Sequence, residues 1–112
     1  MKDKIISIAD VFTPYPGGRF PVGKNDSGQE LRENVLFPEL EKAIKGNYKL
    51  ILNLDGGAGF GSSFLDEAFG GLVRIHHLKL DVLKGKLNFI SKEDPYCVEE
   101  IWEYIENAAT GK

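Results

Sequence analysis

Segment 55–67 concentrates the residue types that could take part in chemistry. It holds four glycines and two serines, Ser62 and Ser63, between an apolar strand-like run and an apolar helical pattern. Glycine lets a backbone approach a ligand closely, and the first N–H groups of a helix attract anions. An arginine at a neighbouring strand end could complete such a site by bidentate pairing. The predicted anion-binding residues are Gly59, Gly61, Ser62, Ser63 and Arg19. For Arg19, a surface salt bridge of small energy is an equally open alternative.

The same loop lacks the features of the common nucleotide-binding motifs. Segment 56–63 has the glycine spacing of a phosphate-binding loop, but Ser62 stands where a lysine would reach the phosphates. The dinucleotide pattern also fails, because Ser62 again replaces the third glycine after Gly57 and Gly59. A nucleoside triphosphatase is therefore not expected. Binding of a small anion or nucleotide remains the alternative function for this loop.

A serine hydrolase would need a base close to Ser62 or Ser63. His76 and His77 lie at the other end of the same predicted helix, about 20 Å away at 1.5 Å per residue. The G-x-S-x-G turn of many hydrolases is also missing from the sequence. We therefore predict no catalytic residues. We interpret the two histidines as a pair at the C-terminal end of the helix, where their charge complements the helix dipole.

A third interpretation is a serine that carries phosphate. The N-terminus of a helix tolerates the added charge, while the surface potential around it inverts. Alternatively, Ser62 or Ser63 only caps the helix, and Ser63 with Asp66 resembles a capping box. Capping explains one serine but leaves the second serine and most of the glycines without a role. The residues predicted to form the phosphorylation and partner-binding surface are Ser62, Ser63, Gly61 and Phe60.

Alternating strand and helix patterns position this junction. Strands are predicted at 4–12, 19–22, 48–54 and 86–91, and helices at 29–45, 63–77 and from Asp94-Pro95 onward. The alternation indicates an α/β fold with parallel strand pairs and right-handed crossovers. Strand 48–54 is apolar on both faces, which predicts a central strand covered by helices on both sides. Pro38 should kink or split the first helix, and Gly70-Gly71 should allow close packing against the sheet.

Composition limits the classes of function. The 112 residues are 42% hydrophobic and 11% aromatic, which indicates one globular domain over residues 1–112. A net charge of −3 with interspersed signs offers no basic surface for nucleic acid. Cys97 is the only cysteine and is expected to be a small buried residue. No apolar run reaches membrane-spanning length, so we expect a cytoplasmic protein. We also expect no metal or other cofactor.

Several runs of the sequence resemble one known family. They are the strand Leu50-Ile51-Leu52-Asn53-Leu54-Asp55, the short pieces Gly17-Gly18-Arg19, Ser27-Gly28, Leu31-Arg32, Asp55-Gly56 and Gly59-Phe60-Gly61, and the run from Ser62 through Gly71. Together these runs resemble the STAS-like domains of unknown function, which are related to the STAS domain of anti-sigma factor antagonists. The last run is the most specific, and the likeness extends over nearly the whole chain.

The resemblance implies a mixed four- to five-stranded sheet flanked by helices and a regulatory module that is not an enzyme. In STAS antagonists, a partner kinase phosphorylates a serine at this helix start and thereby changes partner binding; here that position is Ser62. The antagonists have aspartate where this chain has Gly61, and glycine where it has Phe64. The resemblance also implies a protein partner, such as a kinase-type ATPase or an anti-sigma-like factor. We expect a monomer or weak homodimer, and the charge and hydropathy of the chain predict no nucleic acid or membrane partner.

Overall fold

The computed structural model describes residues 2–111. Within them, three strands form one parallel sheet in the order β1 (Lys4–Ser7), β2 (Leu50–Asn53) and β3 (Leu87–Ile90). The α/β class and the central position of the strand before the glycine loop are thus confirmed. In register across the sheet, Ile6 lies beside Leu52, and Leu52 lies beside Phe89.

Within residues 2–111, seven α-helical elements accompany this sheet: α1 (Ile8–Val11), α2 (Gly28–Leu31), α3 (Phe37–Gly46), α4 (Ser62–Leu65), α5 (Gly71–Arg74), α6 (Leu80–Lys86) and α7 (Tyr96–Ala109). Two π-helical turns, Arg32–Leu36 and Asp66–Gly70, join α2 to α3 and α4 to α5. Each π-helical turn thus joins its two neighbours into one continuous helix. The two resulting helices span residues 28–46 and 62–74. Among the described residues no helix is both long and apolar enough to cross a membrane.

The sheet is smaller than predicted, and the described strands give no mixed pairing. Segment 19–22 is a bend rather than an edge strand. Pro21 lacks a backbone N–H for a ladder, and the preceding backbone pairs with a helix start instead. The Gly28 and Gln29 N–H groups donate to the Gly18 and Arg19 carbonyls over 2.9 and 3.1 Å.

The first strand is also shorter than the predicted 4–12. It ends at Ser7, whose hydroxyl accepts a 3.3 Å hydrogen bond from the Asp10 N–H and so caps α1. The β-branched residues that suggested a longer strand continue into this helical turn, because a local cap outweighs a weak strand propensity.

Helix 28–46 confirms the predicted helix 29–45, with two local differences. It begins at a capping box in which Ser27 and Glu30 satisfy each other's backbone N–H groups, a signal that the prediction missed. Pro38 neither ends nor splits the helix, because the π-helical turn just before it absorbs the altered hydrogen bonding. The helix stops at Asn47, which adopts a left-handed φ of 54°.

The prediction of helices on both sides of the central strand is wrong. Leu50 and Leu52 are fully buried on one face, where Phe89 of β3 contacts Phe69 and Trp102 of the helical layer. On the opposite face Ile5 is 62% exposed. Strands that follow one another in spatial order through right-handed crossovers bring both crossover helices to the same side. The domain is thus a two-layer structure with one open sheet face.

Candidate functional site

Helix 62–74 begins with its two serines on the surface. Gly61 is the N-cap in an extended conformation, so Ser62 and Ser63 are the first two helical residues and both side chains are exposed. The predicted capping by either serine is therefore wrong. The predicted capping box of Ser63 with Asp66 is also wrong, because the Asp66 carboxylate is engaged by arginines. Capping does not account for the serine pair.

A surface cleft of about 270 Å³ opens beside these serines. It is lined by Arg19, Ser62, Ser63, Asp66, Arg74, Tyr104 and Asn107. Arg19 comes from the loop before α2, and the last two residues come from α7. The structure thus brings three of the predicted anion-binding residues together, namely Arg19, Ser62 and Ser63.

Asp66 lies between the two arginines of this cleft. Arg19 Nη1 donates to Asp66 Oδ2 over 2.9 Å, and Arg74 Nη1 donates to Asp66 Oδ1 over 3.1 Å. Burial by itself raises the pKa of Asp66, but these hydrogen bonds outweigh it, so the pKa lies below its ordinary value. We refer to Arg19, Asp66 and Arg74 as the arginine clamp.

Gly70 makes the arginine clamp possible. A Cβ atom at this position would lie 2.7 Å from Arg74 Nη1 and 2.9 Å from Asp66 Oδ1. Arg74 therefore crosses the helix surface where a side chain would otherwise stand, and it also donates to the Asp66 carbonyl over 2.9 Å. The prediction that this glycine serves packing against the sheet is wrong.

A buried ion pair lies directly behind the cleft. Arg32 Nη1 donates to Glu67 Oε2 over 2.7 Å, and the two side chains are only 4% and 11% exposed. A Cβ atom at Gly71 would collide with the Arg32 guanidinium. This second glycine thus also makes room for an arginine rather than for the sheet. Arg19 Nη1 lies 3.3 Å from Glu67 Oε1 and connects the buried pair to the arginine clamp.

The ionic network continues away from the cleft to a histidine. Glu33 Oε2 accepts a 2.7 Å hydrogen bond from Arg32 Nε and lies 2.6 Å from His76 Nε2. Burial raises the pKa of Glu33, whereas hydrogen bonds from Arg32 and His76 lower it by more. The His76 ring stacks on Phe37 at a centroid distance of 3.7 Å. His76 therefore has structural partners of its own, and neither histidine lines the Ser62 cleft.

Tyr104 also lines the cleft. Its hydroxyl donates to Glu100 Oε2 over 2.6 Å, and this hydrogen bond, followed by burial, raises the pKa of Tyr104 to about 12. The nearby Ser62 hydroxyl lowers that pKa by a smaller amount. The phenol is thus a neutral hydrogen-bonding group beside Ser62.

The glycine loop itself borders a different pocket. This pocket of about 260 Å³ lies between the loop and the start of α7. It includes Gly59 and Phe60 but not Arg19, Ser62 or Ser63. The residues that line it are Leu54, Asp55, Gly57, Ala58, Gly59, Phe60, Ser91, Glu93, Asp94 and Cys97. Its charged members are all acidic, which makes it a poor environment for an anion.

Asp55 has a structural role between two loops. Its carboxylate accepts hydrogen bonds from the Lys92 and Glu93 N–H groups, both at 3.0 Å, and these bonds lower its pKa. Glu93 Oε1 in turn accepts the Gly56 N–H over 3.0 Å. The two loops thus hold each other in place. Among residues 2–111 no group of three or more His, Cys, Asp or Glu residues is arranged to hold a metal ion.

Sequence reasoning missed the arginine partners of Asp66 and Glu67. Arg74 lies eight residues beyond Asp66, more than two turns away, so ordinary helical spacing does not predict the contact. Arg32 lies in a different helix from Glu67. The paired glycines Gly70 and Gly71 were the available signal, because two costly residues in mid-helix indicate that large side chains pass over them.

Comparison with known proteins agrees with this fold and with the resemblance of its sequence motifs. The family model described as "STAS-like domain of unknown function (DUF4325)" matches residues 27–96, well over half of the chain. The matched part includes both serines, Asp66, Arg74 and the buried ion pair, whereas Arg19 and Tyr104 lie outside it. Neither the curated proteins nor the solved structures gave a significant match. The chain belongs to the STAS-like domains of unknown function.

Proposed function

We propose that this chain is a non-enzymatic regulatory module that binds a protein partner through the surface around Ser62. Phosphorylation of Ser62 switches this binding. The observation that carries the proposal is an exposed serine at a helix start, in a cleft whose wall holds two arginines. The partner is a protein such as a kinase-type ATPase or an anti-sigma-like factor. This expectation rests on the relation of the family to anti-sigma factor antagonists.

The exposure of Ser62 supports modification at this position. Its side chain makes no capping bond, so phosphorylation would not remove a contact that the helix needs. A phosphate adds a charge of about −1.5 to −2 and three strong acceptor oxygens to the surface. The surface that a partner meets would therefore change from a neutral hydroxyl to a strong anion.

The modification itself is an ordinary phosphoryl transfer. Ser62 Oγ attacks the terminal phosphorus of a nucleoside triphosphate that is bound by the partner kinase. The new O–P bond forms as the bond to the departing nucleoside diphosphate breaks. The hydroxyl proton passes to a base of the kinase. All catalytic groups for this step belong to the kinase.

The proposal can be tested by capturing the partner and then measuring its affinity. A photo-crosslinking amino acid in place of Asn107 would report proteins that contact the cleft, and one in place of Asn88 would serve as a control on the open sheet face. Affinity for the identified partner is then measured by titration calorimetry for wild type, Ser62→Asp and Ser62→Ala.

We expect Ser62→Asp to change the dissociation constant at least tenfold relative to Ser62→Ala, about 1.4 kcal/mol or more. Ser63→Asp adds the same charge one residue away and is the matched control. Equal affinities of Ser62→Asp and Ser62→Ala for a partner captured at the cleft would exclude the switch. A similar effect of Ser63→Asp would show that charge alone matters.

A site for a small anion is the second candidate, because Arg19 and Arg74 share a cleft with two serines. A thermal-shift screen with inorganic phosphate and nucleotides separates the two candidates. Stabilisation by one of these ligands that disappears in Arg19→Ala would favour the anion site. Unchanged melting temperatures with all of them would count against it.

A further inference from the structure

We infer that the arginine clamp is the phosphate receptor of Ser62: phosphate on this serine takes Arg74 and Arg19 away from Asp66. The inference rests on the proposed phosphorylation of Ser62 and specifies how the fold responds to it. It assigns Arg19 and Arg74 as phosphate-binding residues. It assigns Asp66 as the group that holds both guanidinium groups in place before phosphate arrives.

The first argument is the alignment of the groups along helix 62–74. Ser62 and Asp66 are four residues apart, so they lie on the same helix face with about 5 to 6 Å between their Cβ atoms. Arg74 reaches back to Asp66 across the gap that Gly70 leaves. Its guanidinium therefore already extends along this face toward Ser62 and lines the same cleft.

The second argument is that each arginine occupies one oxygen of Asp66. Arg19 bonds to Oδ2 and Arg74 bonds to Oδ1, so the carboxylate keeps two cations together at one point. The two arginine side chains are 34% and 38% exposed, so solvent reaches both of them. They differ in this respect from Arg32, which is buried against Glu67.

The third argument is the difference in charge between the two competing anions. Asp66 offers one negative charge and two oxygens, whereas a phosphoserine offers a charge of about −1.5 to −2 and three oxygens. Arginine pairs bidentately with both groups, so the group with the greater charge has the advantage in the same cleft. Glu67 keeps its own partner, Arg32, and does not depend on Arg19.

The consequence is a change of partners rather than a simple addition of charge. Before phosphorylation, Asp66 is neutralised by its two arginines. Afterwards the phosphate holds the arginines, and the Asp66 carboxylate is released into the cleft. A protein partner would then meet a rearranged surface, which explains how a small modification can alter binding.

The test uses the full chain with phosphoserine incorporated at position 62, and the second pKa of its phosphate is measured by ³¹P NMR. This pKa is about 6 for a free phosphoserine. Because nearby cations favour the more charged form, we expect a value about one unit lower at position 62. Phosphoserine at position 63 is the matched control, since Ser63 shares the helix N-terminus and the cleft with Ser62 but projects in a different direction around the helix.

Three variants identify the groups responsible. Arg74→Ala and Arg19→Ala should each raise the phosphate pKa at position 62 toward the ordinary value. Asp66→Asn should lower it further, because the competing carboxylate is gone. None of the three residues is fully buried, and urea unfolding of each variant would verify that the domain stays folded.

Two results would overturn the inference. One is a phosphate pKa at position 62 that does not respond to Arg74→Ala or Arg19→Ala in folded protein. The other is an equally low pKa at position 63, which would show that the lowered phosphate pKa is not specific to Ser62. The titration needs no partner, so it is separate from the test of the proposed function. A responsive phosphate without partner binding would sustain the receptor alone, and partner switching with an unresponsive phosphate would sustain the switch alone.

Discussion

Gly71→Ala is the sharpest test of the ionic network, because the three heavy atoms nearest to the added methyl group all belong to Arg32. Two of them, Cζ and Cδ, would lie 2.9 and 3.0 Å from the new Cβ atom. The guanidinium would have to move, and Glu67 would lose its buried partner. Breaking a buried ion pair in this way costs about 3 to 5 kcal/mol.

The substitution also has a favourable component. Alanine is better than glycine inside a helix by about 1 kcal/mol. The net expectation is a loss of about 2 to 4 kcal/mol in the free energy of unfolding. Equilibrium urea unfolding, followed by far-ultraviolet circular dichroism, measures this difference as a lower midpoint with little change in slope.

Gly85→Ala is the matched control. Gly85 lies in α6, is exposed, and has no atom within 4 Å of an added Cβ. It should be neutral or stabilising by up to about 1 kcal/mol. In an Arg32→Met background, Gly71→Ala should cost much less, because the group that it displaces is absent. If Gly71→Ala is as stable as Gly85→Ala, or costs the same in both backgrounds, the assignment of Gly71 to Arg32 is wrong.

Three further predictions concern the cap, the clamp and the thiol. Ser27→Ala should lower the free energy of unfolding by about 1 kcal/mol through loss of the capping box, while Ser63→Ala, which caps nothing, should change it by less than about 0.5 kcal/mol in the same urea experiment. The pKa of Asp66 is lower in the folded state than in the unfolded state. Its contribution to stability is therefore present above about pH 4 and is lost as the pH falls through the folded-state pKa. Asp66→Asn should reduce this acid-induced loss of stability, measured as urea midpoints between pH 7 and pH 3. Burial raises the pKa of Cys97 to about 11 and leaves the residue 5% exposed, so iodoacetamide should modify it slowly at pH 8 until urea unfolds the chain; rapid labelling of folded protein would contradict this.

Each of the two π-helical turns begins at a residue of the ionic network. One starts at Arg32, and the other starts at Asp66 and Glu67. Such turns are found frequently at functional sites. Here they lie where Arg32 of one helix pairs with Glu67 of the other. Gly28 approaches the Phe64 carbonyl closely at the same helix interface.

The segment that matches the family model contains only part of the cleft. The match identifies a STAS-like domain and covers the serines and the buried ion pair. Arg19 and Tyr104 complete the cleft from outside the matched segment. The proposed switch therefore combines a helix start that lies inside the matched segment with two residues that lie outside it.

Much of the fold could be predicted because its signals are local. Apolar periodicity located helix 28–46, helix 62–74 and the central strand, and the strand–helix order indicated parallel pairing. The errors arose where two local signals competed. Ser7 ends the first strand by capping α1, and the Gly18 and Arg19 carbonyls accept hydrogen bonds from a helix start rather than from a sheet. The missing cover on one sheet face follows from strand order in space, which periodicity does not encode.

The candidate site also combines features that local sequence predicts with features that depend on tertiary contacts. The sequence by itself determined that Ser62 and Ser63 begin an apolar helix after a glycine loop, because these features depend on neighbouring residues. Only the tertiary structure decided that Arg19 joins the serines while Gly59 lines a separate acidic pocket. It also decided that Gly70 and Gly71 make room for arginines. Ion pairs between distant segments depend on how helices and loops approach in space, and residue spacing along the chain carries no direct record of that approach.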